Sequence, residues 1–283
     1  MMAPKPAYVA LAMLICGPAL AGAAPPWRGR TVRIPLDAAM TSTPMPQIAG
    51  PPGRPLIVID AGHGGHDPGT LGASAGIAEK ALTLAVAQRI RRALLTSGRV
   101  RVALTRDRDV FLVLRERTAI ARHLKADLFL SIHADSGDAM ARGASIYTLS
   151  DIASDREAQD LALRENKADI LNGINLAGKE AGVTSILVDL AQRETMAQSV
   201  AFAQVLRREG AGLIPFHASG LRQADLAVLK APDMPAVLLE VGYLSHNGDA
   251  RRIASASGQR DIAEAVRRAV DIYFARQRAD RVP

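Results

Sequence analysis

The chain has 283 residues, 48% of them hydrophobic and 22% charged, enough apolar side chain for a proper core and too much for a disordered chain. With 35 Lys and Arg against 28 Asp and Glu it carries +7, a balance that favours anionic partners. Aromatics are 4% and the arginines are scattered rather than run together as a basic tail, so the sequence argues against nucleic-acid binding.

Taken in chain order, residues 1–23 read as a secretory signal peptide. Lys5 precedes an apolar run from Ala7 to Leu20, which is short of the about 20 apolar residues that span a bilayer. Ala19-Leu20-Ala21 and Ala21-Gly22-Ala23 both fit a cleavage site. An uncleaved anchor is the alternative, against which Pro18 and the short run argue. No stable membrane span is expected after cleavage. The single cysteine, Cys16, falls in this segment, so any metal site of the mature chain uses His and carboxylates. Residues 24–54 are rich in Pro, Gly, Ala and Thr and read as a linker or loosely attached arm.

From Leu56 the pattern becomes that of a folded domain, 55–277, with a tail at 278–283. Leu56 to Ile59 predicts a buried strand, and Asp60 to Gly76 a glycine-rich loop. Glu79 to Leu95 predicts a helix with Leu82, Val86, Ile90 and Leu94 on one face. Val100 to Leu104 predicts a strand, Leu112 to Leu124 a helix, Asp127 to His133 and Ala144 to Leu149 two more strands. Between about 151 and 210 the rhythm breaks into helical patterns without a strand: Ala158, Ala162, Glu165 and Asp169 share a face, and Ser185 to Arg208 fits one long helix. Ala236 to Val241 predicts a last strand and Asp261 to Arg276 a closing helix. The alternation predicts an α/β fold: a mostly parallel twisted sheet, helices on both faces, and a helical insert near the active site.

Ligands of open α/β sheets bind beyond the carboxyl ends of the strands. Three strand ends carry unusual residues: Asp60-Ala61-Gly62-His63-Gly64-Gly65, Ser131-Ile132-His133-Ala134-Asp135 and Leu238-Leu239-Glu240-Val241-Gly242. Glu79 follows the glycine loop at the head of a helix. Two imidazoles, a carboxylate and a water make a hydrolytic zinc site, and a further carboxylate then serves as general base. Each residue alone has a plainer reading: a histidine satisfied in a loop or core, or a helix-head acid favoured by the macrodipole. Glu240 is the hardest to read that way, because a carboxylate inside an apolar strand is costly unless paired or metal-bound. Asp60 is expected to orient a metal-bound histidine. The inventory lacks a mature thiol and a phosphate loop.

These motifs resemble one family, the zinc-dependent N-acetylmuramoyl-L-alanine amidases of the cell-separation type. The resemblance runs from about Pro55 to Arg276. It rests on Ile57-Val58-Ile59-Asp60-Ala61-Gly62-His63-Gly64-Gly65 with Asp67-Pro68-Gly69, Glu79-Lys80, Ser131-Ile132-His133-Ala134-Asp135 and Pro235-Ala236-Val237-Leu238-Leu239-Glu240, in that order. It implies one zinc ion per chain on His63, Glu79 and His133, with Glu240 as the catalytic carboxylate. It implies cleavage of the amide between the lactyl group of N-acetylmuramic acid and L-alanine in peptidoglycan, in the periplasm, during septal splitting. The segment at about 151–210 resembles the insert of division-associated members, in which a helix keeps the enzyme off until a LytM-like activator displaces it. Glu165, with Asp169 behind it, would make the autoinhibitory zinc contact. His66 is expected not to be a ligand, and His217 to reach substrate or serve a loop. A zinc exopeptidase and a non-catalytic peptidoglycan-binding module are the competing readings.

Overall fold

The computed structural model describes residues 7–12, 31–36, 44–72, 76–137, 140–170 and 185–279. Strands β1 (Ala7–Ala12) and β2 (Thr31–Leu36) pair antiparallel with each other and stand apart from the main sheet. The candidate cleavage positions Ala21 and Ala23 lie outside the described residues. Among the described residues, no helix is long and apolar enough to cross a membrane.

The main sheet contains β3 (Leu56–Ala61), β4 (Arg101–Leu104), β5 (Leu128–Asp135), β6 (Ala144–Leu149), β7 (Phe216–Ala224) and β8 (Ala236–Tyr243). Their spatial order is β4-β3-β5-β8-β6-β7. The four strands from β4 to β8 run parallel, β6 lies antiparallel to β8, and β7 follows β6 in parallel. The sheet is therefore mostly parallel with one reversal, at the β8–β6 seam.

Helices cover both faces. Alternate residues such as Ile57, Ile59, Leu130, Ile132 and Leu239 form one core with α1 (Glu79–Ser97), α4 (Ser185–Glu209) and α6 (Ala256–Ala279). The intervening residues Leu56, Val58, Phe129 and Leu238 form a second core with α2 (Leu114–His123), α3 (Arg156–Ile170) and a short 3-10 turn, Ala227–Leu229. Both faces of β3, β5 and β8 are buried, so their sequences are continuous apolar runs. Because side chains alternate along a strand, Asp60, Ser131, His133 and Glu240 fall on the second face, under α2 and α3. The connection from β6 to β7 carries α3 and α4.

Three local expectations change. The arm is not loose at its end: Ala49 pairs with Val102, donating to its carbonyl at 3.0 Å and accepting from its N–H at 2.8 Å. It thereby extends the sheet edge at β4. β7 carries no continuous apolar run, because it lies at the sheet edge and buries few side chains. Helix α5 (Asn247–Ala254) precedes the closing helix, which begins at Ala256 rather than Asp261.

Candidate active site

The chemistry gathers at the carboxyl ends of β3, β5 and β8. β3 ends at Ala61, and the chain turns at once through His63, which adopts a left-handed φ of 61°. His133 lies within β5 and pairs in register with Glu240 of β8. Glu79 is the first residue of α1. His63 Nε2 stands 3.1 Å from Glu79 Oε1, and His133 Nδ1 stands 3.3 Å from the same oxygen. One ligand atom from each of the three residues lies within 4.8 Å of the others, and all three residues are buried. The two rings meet edge to face at 4.9 Å between centroids.

Glycine makes this approach feasible. A β-carbon on Gly62 would lie 2.4 Å from the His133 ring, and one on Gly69 would lie 2.6 Å from both the His63 ring and Glu79 Oε2. The missing β-carbons at these two positions leave room for the side chains of His133, His63 and Glu79.

The surrounding groups fix each donor. His63 Nδ1 pairs with Asp67 Oδ2 at 2.9 Å, and Asp67 Oδ1 accepts the Gly69 N–H. Glu79 accepts the Ala134 N–H at Oε1 and the Thr70 N–H at Oε2, both at 2.9 Å. Asp67, not Asp60, is the carboxylate on a histidine. Asp60 is fully buried and accepts from Thr105 and Ser131 hydroxyls and from Arg117 Nη1 at 3.0 Å. It acts on the loop through Arg117, which also donates to the carbonyl of His63.

Glu165 of α3 enters from above. Its Oε2 is 3.1 Å from His133 Nδ1 and 3.6 Å from His63 Nε2. The helix is tied down on several sides. Arg164 pairs with Asp135 at 2.5 Å, Glu157 accepts from Arg222 at 2.7 Å and from the Tyr243 hydroxyl, and Asn166 bonds Asp225 O and Ala227 N. Ala158, Leu161 and Ala162 pack into the second core. The side chain of Asp169 lies outside the described residues. His66 packs on Phe111, and His217 joins Arg222 at 3.0 Å, so neither shares the cluster.

The groups of the cluster perturb one another strongly. Burial alone would lower the pKa of both histidines, yet the carboxylates push each up to about 10, Glu79 leading for His63 and Glu165 for His133. Burial would raise Glu79, and the two imidazoles outweigh it and hold it well below the usual range. Glu240 is raised well above its usual range, by burial first and then by the charges of Asp135, Glu165 and Glu79. Burial also pushes Asp135 up to about 7 against the pull of Arg164. His63 Nε2, His133 Nδ1 and both Glu240 oxygens are buried without a hydrogen-bond partner. Buried polar atoms rarely stay so. Orphaned nitrogens aimed at a shared carboxylate, in a cluster with more acids than bases, fit a divalent metal. Two imidazoles and a carboxylate fit zinc.

Residues 57–271 match the family model described as N-acetylmuramoyl-L-alanine amidase. The chain belongs to this family. It is 34% identical over 236 residues to the amidase AmiC of Escherichia coli O6:H1, covering 83% of this chain and 56% of that protein. It is 35% identical over 224 residues to AmiA of Escherichia coli K12, covering 78% and 77% respectively. The chain thus spans little more than half of AmiC but most of AmiA. Among solved structures, the catalytic domain of the amidase CwlV from Bacillus (Paenibacillus) polymyxa superposes with a TM-score of 0.59 at 28% identity, over 78% of this chain and 98% of that one. The amidase AmiC2 of Nostoc punctiforme gives 0.59 at 29% identity, over 79% and 98%. The mixed, mostly parallel sheet with flanking helices is that of this family's catalytic domains.

Proposed function

We propose that this chain hydrolyses the amide between the lactyl group of N-acetylmuramic acid and L-alanine in peptidoglycan, as a zinc enzyme held in check by α3. The observation that carries the reading is the convergence of His63, Glu79 and His133 beside the buried, unpaired carboxylate of Glu240. A zinc ion held by those three residues would activate water and polarise the scissile carbonyl. Glu240 supplies the proton chemistry. Its carboxylate, buried beside the three ligands, is placed to take a proton from the attacking water and return it to the leaving amine of L-alanine. Asp67 holds the His63 tautomer that presents Nε2, and the Ala134 and Thr70 N–H groups hold the Glu79 carboxylate.

Glu165 supports the autoinhibited state. Its carboxylate lies within contact range of both histidines, where a metal's open position would be needed for substrate, and its helix covers the site. A partner that lifts α3 would then turn the enzyme on by shifting a population. In a periplasmic setting, reached through an N-terminal leader, that partner is a LytM-like activator.

Dye release from labelled peptidoglycan by wild type, Glu240→Ala and a form lacking residues 155–183 tests the reading. The deletion form is expected to be active, chelator-sensitive and to free stem peptides beginning with L-alanine, while Glu240→Ala is inactive. Activity already present in the wild type would remove the brake and keep the zinc amidase. Release of single amino acids would favour an exopeptidase. Silence of every zinc-loaded form would leave a peptidoglycan-binding module.

A further inference from the structure

The carboxyl end of a parallel strand leaves backbone carbonyls without ladder partners. At the end of β3 these belong to Ala61, Gly62 and His63, and two buried arginines take all three. Ala61 O accepts from Arg106 Nε at 2.9 Å and from Arg117 Nη1 at 2.8 Å. Gly62 O accepts from Arg106 Nη2, and His63 O from Arg117 Nη2, each at 2.9 Å. Arg117 also donates to Asp60, its charge partner, and to Leu112 O. Arg106 continues to Lys80 O, next to Glu79, at 2.8 Å. Both arginines are 2% exposed. The turn they grip holds His63 in a left-handed conformation that a residue with a β-carbon seldom adopts.

We propose that Arg106 and Arg117 are positioning residues for the metal ligand His63, a reading that rests on the metal assignment above. Asp67 fixes the ring from one side. The two guanidinium forks fix the backbone beneath it, so that a ligand borne on a loop is held as firmly as one on a strand. The planar fork is essential, since several carbonyls lie in different directions and a lysine ammonium is one point charge. Arg106 also joins the His63 turn to the start of α1, so the same side chain sets His63 against Glu79.

The test uses the full chain. Zinc affinity is measured by competition with a chromophoric chelator, and the thermal midpoint of the metal-free protein by circular dichroism. Three variants are compared with wild type: Arg117→Lys, Arg106→Lys and Phe202→Leu, the last a core change on α4, where Phe202 packs against Tyr273 of α6. The arginine variants are expected to weaken zinc binding by roughly ten- to a hundredfold, the cost typical of losing an outer partner of a ligand. Phe202→Leu is expected to leave affinity within about twofold whatever its midpoint. Unchanged affinity in both arginine variants overturns the proposal, as does equal weakening in Phe202→Leu, which would make the loss one of stability. If Arg117→Lys does not fold, Arg106→Lys decides alone, because it leaves the Asp60–Arg117 pair in place. Wild type that binds no zinc refutes the metal reading itself. Wild type that binds it, with arginine variants that bind equally, refutes only the role of the arginines.

Discussion

Replacing Glu165 by glutamine keeps the shape of the side chain and removes its charge. In the structure that charge faces His133 Nδ1 at 3.1 Å and His63 Nε2 at 3.6 Å. A contact to a charged group contributes about 1.5–3 kcal/mol, and about 1.4 kcal/mol is tenfold in a population. Glu165→Gln should therefore raise the basal rate of the zinc-loaded chain by roughly ten- to a hundredfold in the absence of any partner. The rise stops there because α3 keeps its other ties, Arg164 to Asp135, Glu157 to Arg222 and Asn166 to the Asp225–Ala227 backbone. Dye release from labelled peptidoglycan at saturating zinc is the assay, with the form lacking residues 155–183 as the fully released reference. A variant rate within twofold of wild type, beside an active reference, would mean that α3 blocks by covering the site and that its carboxylate is incidental.

Glu240→Gln should bind zinc as wild type does and lose about 10²–10⁴-fold in turnover; parallel metal titration and dye release check both halves. Gly62→Ala places a methyl 2.4 Å from the His133 ring, so zinc affinity should fall with the chain still folded; an unchanged chelator titration would count against the close approach. Asp60 gives a pH dependence. Burial alone would raise its pKa, but Arg117, Thr105 and Ser131 hold it below the ordinary 3.8. A lowered pKa contributes stability above 3.8 that is lost as the pH falls toward the folded value. Asp60→Asn should lower the midpoint of the metal-free protein at neutral pH, leaving Arg117 buried without its partner. It should also flatten the fall in midpoint below about pH 4, as thermal melts across pH 2–7 would reveal.

Much of the site was legible because burial on both faces makes β3, β5 and β8 apolar runs in which a polar residue stands out. His133 and Glu240 announced themselves as interruptions, and His63 by its glycines. The packing face of α1 was equally plain in the fourfold spacing of Leu82, Val86, Ile90 and Leu94. What stayed hidden depends on partners distant in sequence. Arg106 and Arg117 read as ordinary scattered charge, because nothing local says that a guanidinium will be enclosed by carbonyls 45 and 54 residues away. Asp67 was visible four residues after His63, in an Asp-Pro-Gly turn, yet Asp60 at the strand end drew the orienting role instead. β7 escaped because an edge strand needs few apolar residues, and its Arg222 is buried through ion pairs rather than by apolar packing. The reversal at β6 is a matter of where the crossover lands, which short-range pattern does not encode.

That crossover has a consequence of its own. Parallel strands cannot be joined by a tight turn, so β6 and β7 require a long excursion whatever the enzyme does. Here the excursion holds α3, which carries Glu165, while His63, Glu79, His133 and Glu240 all come from other segments. Under the proposed function, catalysis and restraint fall in separable stretches of chain. Under that proposal, lengthening, shortening or rewiring the stretch between β6 and β7 would change the restraint while leaving His63, Glu79, His133 and Glu240 where they are.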